Sequence, residues 1–126
     1  MQLATGVDLI EIERIRRALE RHGERFLRRI FTIAELEDLG PQPAAHTASL
    51  AARFAAKEAA AKALGCGIGP VGWLEIEVRR GPAHEPQLAL HGAAARLAKA
   101  KGLTQWTVSL SHTQDHAIAL VVAAGD

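Results

Sequence analysis

Two hydrophobic periods divide this chain. Ile12, Ile15 and Leu19 recur at spacings of three and four with charge between them, the pattern of an amphipathic helix. Before them, Leu3 to Ile10 carries Val7, Leu9 and Ile10 in a short run that predicts a first strand. Gly23 ends or bends the helix, and Thr32-Ile33-Ala34-Glu35 has capping-box spacing, which starts a second, short helix. Two prolines make Gly40 to His46 a loop. The longest helix is expected from about Thr47 to Leu64, since the stretch is rich in alanine, the strongest helix former. Gly65 stands where a C-terminal cap belongs, and three glycines with Pro70 keep the following segment a loop.

Beyond that loop the period becomes two. Leu74, Ile76 and Val78 alternate with Glu75, Glu77 and Arg79, which predicts a half-buried strand. Leu88 and Leu90 mark another strand, and Gly92 to Lys101 reads as a helix closed by Gly102. Trp106, Val108 and Leu110 alternate with Thr107, Ser109 and Ser111; Ile118, Leu120 and Val122 alternate with smaller residues. His112 to Asp115 between them reads as a hairpin turn. The expected architecture is α+β: a small single domain over residues 1–126, with a mainly antiparallel sheet and one long Ala-rich helix.

Composition narrows the class. With 126 residues, 48% hydrophobic and 23% charged, the chain has the balance of one folded domain rather than a disordered one. Its longest stretch free of Asp, Glu, Lys and Arg, Leu39 to Ala52, contains Pro41, Pro43 and His46. A spanning helix needs roughly 20 mostly apolar residues, so no membrane span is expected. Asp8, Glu11 and Glu13 fall where the apolar core of a secretory leader would lie, so none is expected. The single Cys66 excludes an intrachain disulfide framework and a cysteine-based zinc cluster, and a cytoplasmic setting is expected.

Charge is uneven. From Arg14 to Arg29 seven arginines face only Glu20 and Glu24, although the net charge is +1. Such a patch fits a solvated helix face or an acidic partner. The near-neutral total and the absence of tyrosine argue against a nucleic-acid groove.

Four segments hold candidate chemistry. Asp8, at the expected strand-to-helix junction, reads either as a helix cap completed by Glu11 or as a rigidly held carboxylate able to bind a hard cation. On the long helix, Leu50, Phe54, Glu58 and Lys62 lie in one row. Glu58 and Lys62 form either an exposed ion pair, worth about 0.3–0.5 kcal/mol, or half of a binding site. Arg53 and Lys57 are like charges four apart, a mildly unfavourable pair unless an anion lies between them. Ser109 and Ser111 share a strand face with His112 at its end, but no nucleophile elbow accompanies them. The Gly65-to-Gly69 loop lacks the Gly-Lys-Ser/Thr of a Walker loop, although its flexible backbone could approach a nucleotide.

Taken together, these segments resemble the holo-acyl-carrier-protein synthase family, the small bacterial type of 4′-phosphopantetheinyl transferase. Gly6-Val7-Asp8-Leu9 resembles the family's N-terminal motif, and Phe31-Thr32-Ile33-Ala34-Glu35-Leu36 its next block. The run from Arg53 to Gly65 resembles R-[FW]-x-x-K-E-[AS]-x-x-K-A, its most characteristic motif. Pro86, Leu88, Leu90 and Gly92, then Ser109-Leu110-Ser111-His112, follow in family order, so nearly the whole chain is covered.

The resemblance implies transfer of the 4′-phosphopantetheine arm of coenzyme A to a serine of apo acyl carrier protein, in support of fatty acid biosynthesis, with adenosine 3′,5′-bisphosphate released. It implies Mg²⁺ on Asp8 and Glu58, with Lys62 at a phosphate. Arg53, Lys57 and His112 become candidates for the coenzyme A phosphates, with Gly65 and Gly67 near the adenosine. The serine's proton acceptor stays open between Glu58 and a metal-bound hydroxide. Arg14, Arg17 and Arg21 would meet the acidic carrier, with Phe26 or Ile30 as an apolar anchor. A homotrimer with sites between subunits is also implied. Two other readings remain open: a non-catalytic coenzyme A- or carrier-binding module, and a transferase acting on polyketide or peptide carrier domains.

Overall fold

The computed structural model describes residues 1–126. In chain order the elements are β1 (Gln2–Glu11), α1 (Ile12–His22), α2 (Glu24–Ile30), α3 (Ile33–Asp38), α4 (Thr47–Ala63), β2 (Ile76–Arg80), β3 (Pro86–Leu90), α5 (Gly92–Ala100), β4 (Gln105–His112) and β5 (His116–Gly125). Single turns of 3₁₀ helix interrupt the loops at Pro43–Ala45 and Trp73–Glu75. Two antiparallel sheets result, β1-β5-β4 and β2-β3, giving the expected α+β class.

Local chemistry sets the boundaries. Gly23, at φ 53°, turns the chain from α1 into α2. Thr32 and Glu35 form the reciprocal capping box that begins α3. α4 ends as Gly65, at φ 81°, reverses the backbone. Leu74 departs from the expected strand. It lies in the 3₁₀ turn, 46% exposed, because the Glu75 carboxylate gathers the amides of Gly72 and Ala93 and bends the chain. The strand therefore begins at Ile76, and Glu77 is buried against the alternation because Thr32 and His91 both bond its carboxylate.

α4 lies across one face of the three-stranded sheet, and its alanines make the contact. Ala51, Ala55, Ala56, Ala59, Ala60 and Ala61 are fully buried, as are Ala119, Val121 and Ala123 of β5 on the sheet side. The alternation of β5 is therefore sided by size. Its small residues face the helix, while Ile118 and Leu120 point outward, 39% and 46% exposed. They pair with Leu9 and Val7 of β1, which are also exposed, so the outer face carries an aliphatic patch.

The close approach has one sharp requirement. A Cβ on Gly6 would lie 1.8 Å from the carbonyl oxygen of Ala59. Gly6→Ala must therefore push β1 off α4. Overpacking costs about 1–3 kcal/mol, so chemical denaturation should show a loss of about that size.

Candidate active site

Asp8 does not cap α1. The strand continues three residues past it, and the residue at the cap position is Glu11, whose side chain makes no capping bond. Alternation along β1 instead turns Asp8 toward α4, on the same face as buried Ile10. There it meets Lys62. The ammonium donates to Asp8 Oδ1 at 3.1 Å and to the carbonyl of Val7 at 3.0 Å. Lys62 is half exposed, so a donor remains open to solvent. Lys62 thus pairs with Asp8, not with Glu58 as an exposed helical pair would.

Glu58 leaves the same row of α4 one turn earlier. Burial pushes its carboxyl above the ordinary carboxylate range, and the charge of Asp8 pushes it further. Lys62 and Arg14 pull in the opposite direction. Two carboxylates on adjacent elements, one facing the other's charge, with a lysine between strand and helix, are groups that could hold a hard cation and a phosphate. The donor set is all oxygen, which suits a divalent magnesium ion. Arg14, read from the sequence as a docking residue, also lies within the field of Glu58.

The other sequence candidates divide. His112 stands exposed at the end of β4, on the rung of Ala117 and Ile10, two rungs from the one that holds Asp8. It therefore shares the α4-facing side, whereas Ser109 and Ser111 pair with outward Leu120 and Ile118. Gly65 and Gly67 open the loop at the end of α4, both with positive φ, and Lys101 donates there to the carbonyl of Leu64 at 2.6 Å. Arg53 is 6% exposed; its Nε is buried without a partner, and no carboxylate lies within ion-pair distance of it.

Lys57 contradicts its expected phosphate role. It is fully buried and donates to Glu35 at 2.7 Å, to the carbonyl of Trp73 at 3.0 Å and to that of Ile76 at 2.6 Å. All three ammonium protons are spent inside the protein, which leaves none for a ligand. The same bonds resolve its like-charge spacing with Arg53 without an anion. Sequence reasoning recognised Glu35 only as a cap; the missed signal was a lysine on an otherwise alanine-clad stretch of helix, which demands a carboxylate partner.

Among the basic residues of α1 and α2, Arg16 and Arg17 lean on Glu13, and Arg28 on Glu24. Arg14 and Arg21 have no carboxylate within 4.0 Å. Ile30 is buried in the core, so it cannot anchor a partner, and Phe26 is half buried with its ring edge-on to Phe31.

A carboxyl whose pKa is raised by folding stabilises the fold only while protonated, and that contribution fades as pH climbs through the raised value. In metal-free protein Glu58→Gln should therefore raise the thermal midpoint at neutral pH. The gain should vanish as pH falls below the ordinary carboxylate range, as followed by circular dichroism.

Residues 4–121 match the family model of the 4′-phosphopantetheinyl transferase superfamily. A holo-(acyl-carrier-protein) synthase of Herpetosiphon aurantiacus is 52% identical, over 98% of this chain and 99% of that protein. The Helicobacter pylori holo-(acyl-carrier-protein) synthase, solved in complex with coenzyme A, superposes with a TM-score of 0.84 at 30% identity, covering 95% of this chain and 99% of that one. The coenzyme A complex of the synthase from Chronobacterium ammoniagenes gives 0.84 at 32% identity, covering 100% and 99%.

Proposed function

The chain belongs to the 4′-phosphopantetheinyl transferase superfamily, and we propose that it transfers the 4′-phosphopantetheine arm of coenzyme A to a serine of an apo acyl carrier protein. The observation that carries this reading is the convergence of Asp8, Glu58 and Lys62 where β1 crosses α4. The carrier's serine oxygen forms a bond to the phosphorus bearing the pantetheine. The bond from that phosphorus to the bridging oxygen breaks, and adenosine 3′,5′-bisphosphate leaves.

Asp8 and Glu58 are the residues to hold Mg²⁺. When bound, the ion neutralises the pyrophosphate and polarises the phosphoryl group under attack. Lys62, tethered to Asp8 and the Val7 carbonyl, keeps donor capacity for the departing phosphate, whose charge grows as the bond breaks. The unpaired guanidinium of Arg53 and the exposed ring of His112 are the groups to receive the remaining phosphates of coenzyme A, with the Gly65–Gly67 backbone beside the adenosine. Arg14 and Arg21, free of internal partners, lead the acidic carrier in along α1, with Arg17 secondary because Glu13 engages it.

The outer sheet face completes the assembly. Leu3, Val7, Leu9, Ile118 and Leu120 are exposed on one side of β1 and β5. A second and third copy of the chain are the occupants that fit, in a homotrimer with its sites at the junctions. The setting is cytoplasmic and the carrier that of fatty acid synthesis.

Three measurements test this reading. Incubation with coenzyme A, Mg²⁺ and apo carriers of fatty-acid, polyketide and peptide type should add one phosphopantetheine mass to the fatty-acid carrier by intact-protein mass spectrometry. EDTA, Asp8→Ala and Glu58→Ala should each abolish the gain; coenzyme A binding with no gain on any carrier would make the protein a binding module. Arg14→Glu/Arg21→Glu should raise KM for the carrier at least tenfold with coenzyme A affinity retained, whereas equal loss of both rejects the docking assignment. Light scattering should give the mass of three chains, and Leu120→Lys should reduce it to one; a wild-type monomer overturns the trimer.

A further inference from the structure

From Ala55 to Ala63 the helix presents only alanine apart from Lys57, Glu58 and Lys62. Alanine makes a smooth cylinder. It offers close approach but few knobs to resist rotation about the helix axis. Yet this is the stretch whose orientation decides where Glu58 and Lys62 point. A carboxylate lies about 6 Å from the axis, so a roll of ~15° moves it by ~1.5 Å.

Within this stretch Lys57 is the one long side chain driven wholly into the core. Its three bonds run to α3 through Glu35, to the 3₁₀ turn through the carbonyl of Trp73, and to the start of β2 through that of Ile76. Glu35 is held just as firmly. Its Oε1 accepts the Thr32 amide at 2.8 Å, and its Oε2 accepts the Val78 amide at 2.9 Å. Neither residue has any exposed surface. A buried ion pair is seldom more stabilising than the apolar residues that could replace it, so its directional bonds are the asset. Three donors fixed on three elements define an angle, which an alanine surface cannot do.

We infer that the buried Lys57–Glu35 pair is a positioning element for the transfer reaction: it sets the roll of α4 and thereby aims Glu58 and Lys62 at Asp8. The inference rests on the metal and phosphate reading of those three residues. Lys57 and Glu35 touch neither substrate nor ion; they act through the helix.

The test removes both charges together, in Lys57→Met/Glu35→Gln, so that no lone buried charge remains. Glu35→Asp is made in parallel; it keeps both charges but retracts the carboxylate by one methylene, and it serves alone if the double variant does not fold. Folding is checked by circular dichroism and trimer mass. Binding of Mn²⁺, as a probe for Mg²⁺, is measured by electron paramagnetic resonance, and kcat is separated from KM at saturating carrier. The expected result in folded protein is Mn²⁺ binding weakened about tenfold or more and kcat lowered about 10²-fold, with KM for coenzyme A changed much less. A folded variant with wild-type Mn²⁺ affinity and wild-type kcat overturns the inference. Wild-type protein that binds no Mn²⁺ faults the metal reading instead, and kcat then decides the positioning role.

Discussion

The distance between α4 and the sheet governs this molecule. Alanine on the helix, alanine and valine on β5, and a glycine at the crossing of β1 bring backbone almost against backbone. Larger side chains on either surface would have lifted the helix away, and with it the lysine that reaches Asp8 and the Val7 carbonyl. A site built from side chains on two elements keeps its geometry only if the elements themselves hold still. Here the proximity comes from small residues, and a few charged ones supply direction.

Those charged residues live under opposite conditions. Lys57 is dry and saturated; burial pulls its pKa down while Glu35 pulls it back up. Lys62, five residues on, is wet and unsaturated. The same contrast separates the acids. Glu35 accepts bonds from the cap of its own helix, from α4 and from β2, whereas Glu58 is partly desolvated, is repelled by the charge of Asp8 and has no partner of its own at ion-pair distance. One pair is satisfied wholly inside the protein, and the other keeps bonding capacity open to solvent. Sequence spacing alone does not distinguish the two lysines, since Arg53–Lys57 and Glu58–Lys62 share the same four-residue interval.

What was legible in the sequence follows from this. Local signals held: the Thr32 capping box, the glycine stops after α1 and α4, and the hairpin linking β4 to β5 depend on a few adjacent residues and came out as read. Non-local facts did not. Asp8 has the local spacing of a helix cap, but the longer strand is set by its partner β5, and pairing as far as Glu11 with His116 moved the helix start beyond reach of that side chain. Lys57 looked like a ligand because its partner sits 22 residues upstream on another helix. The alternation of Ile118 and Leu120 with alanine marks a strand but not which face turns inward; the demand of a close helix for small neighbours decides that.

That outward bulk also shapes the surface the chain presents. Ile118 and Leu120 next to Leu9 and Val7 make a short, sticky ladder on a newly folded copy. Its neighbour across the sheet is different: Thr107, Ser109 and Ser111 line the β4 flank, and Thr5 interrupts the β1 side. Hydroxyl-bearing residues at such positions act as gatekeepers, limiting the width of the aliphatic strip that a stray strand or a misfolded neighbour could grip. The surface is thus graded across its width, greasy at one margin and wettable at the other.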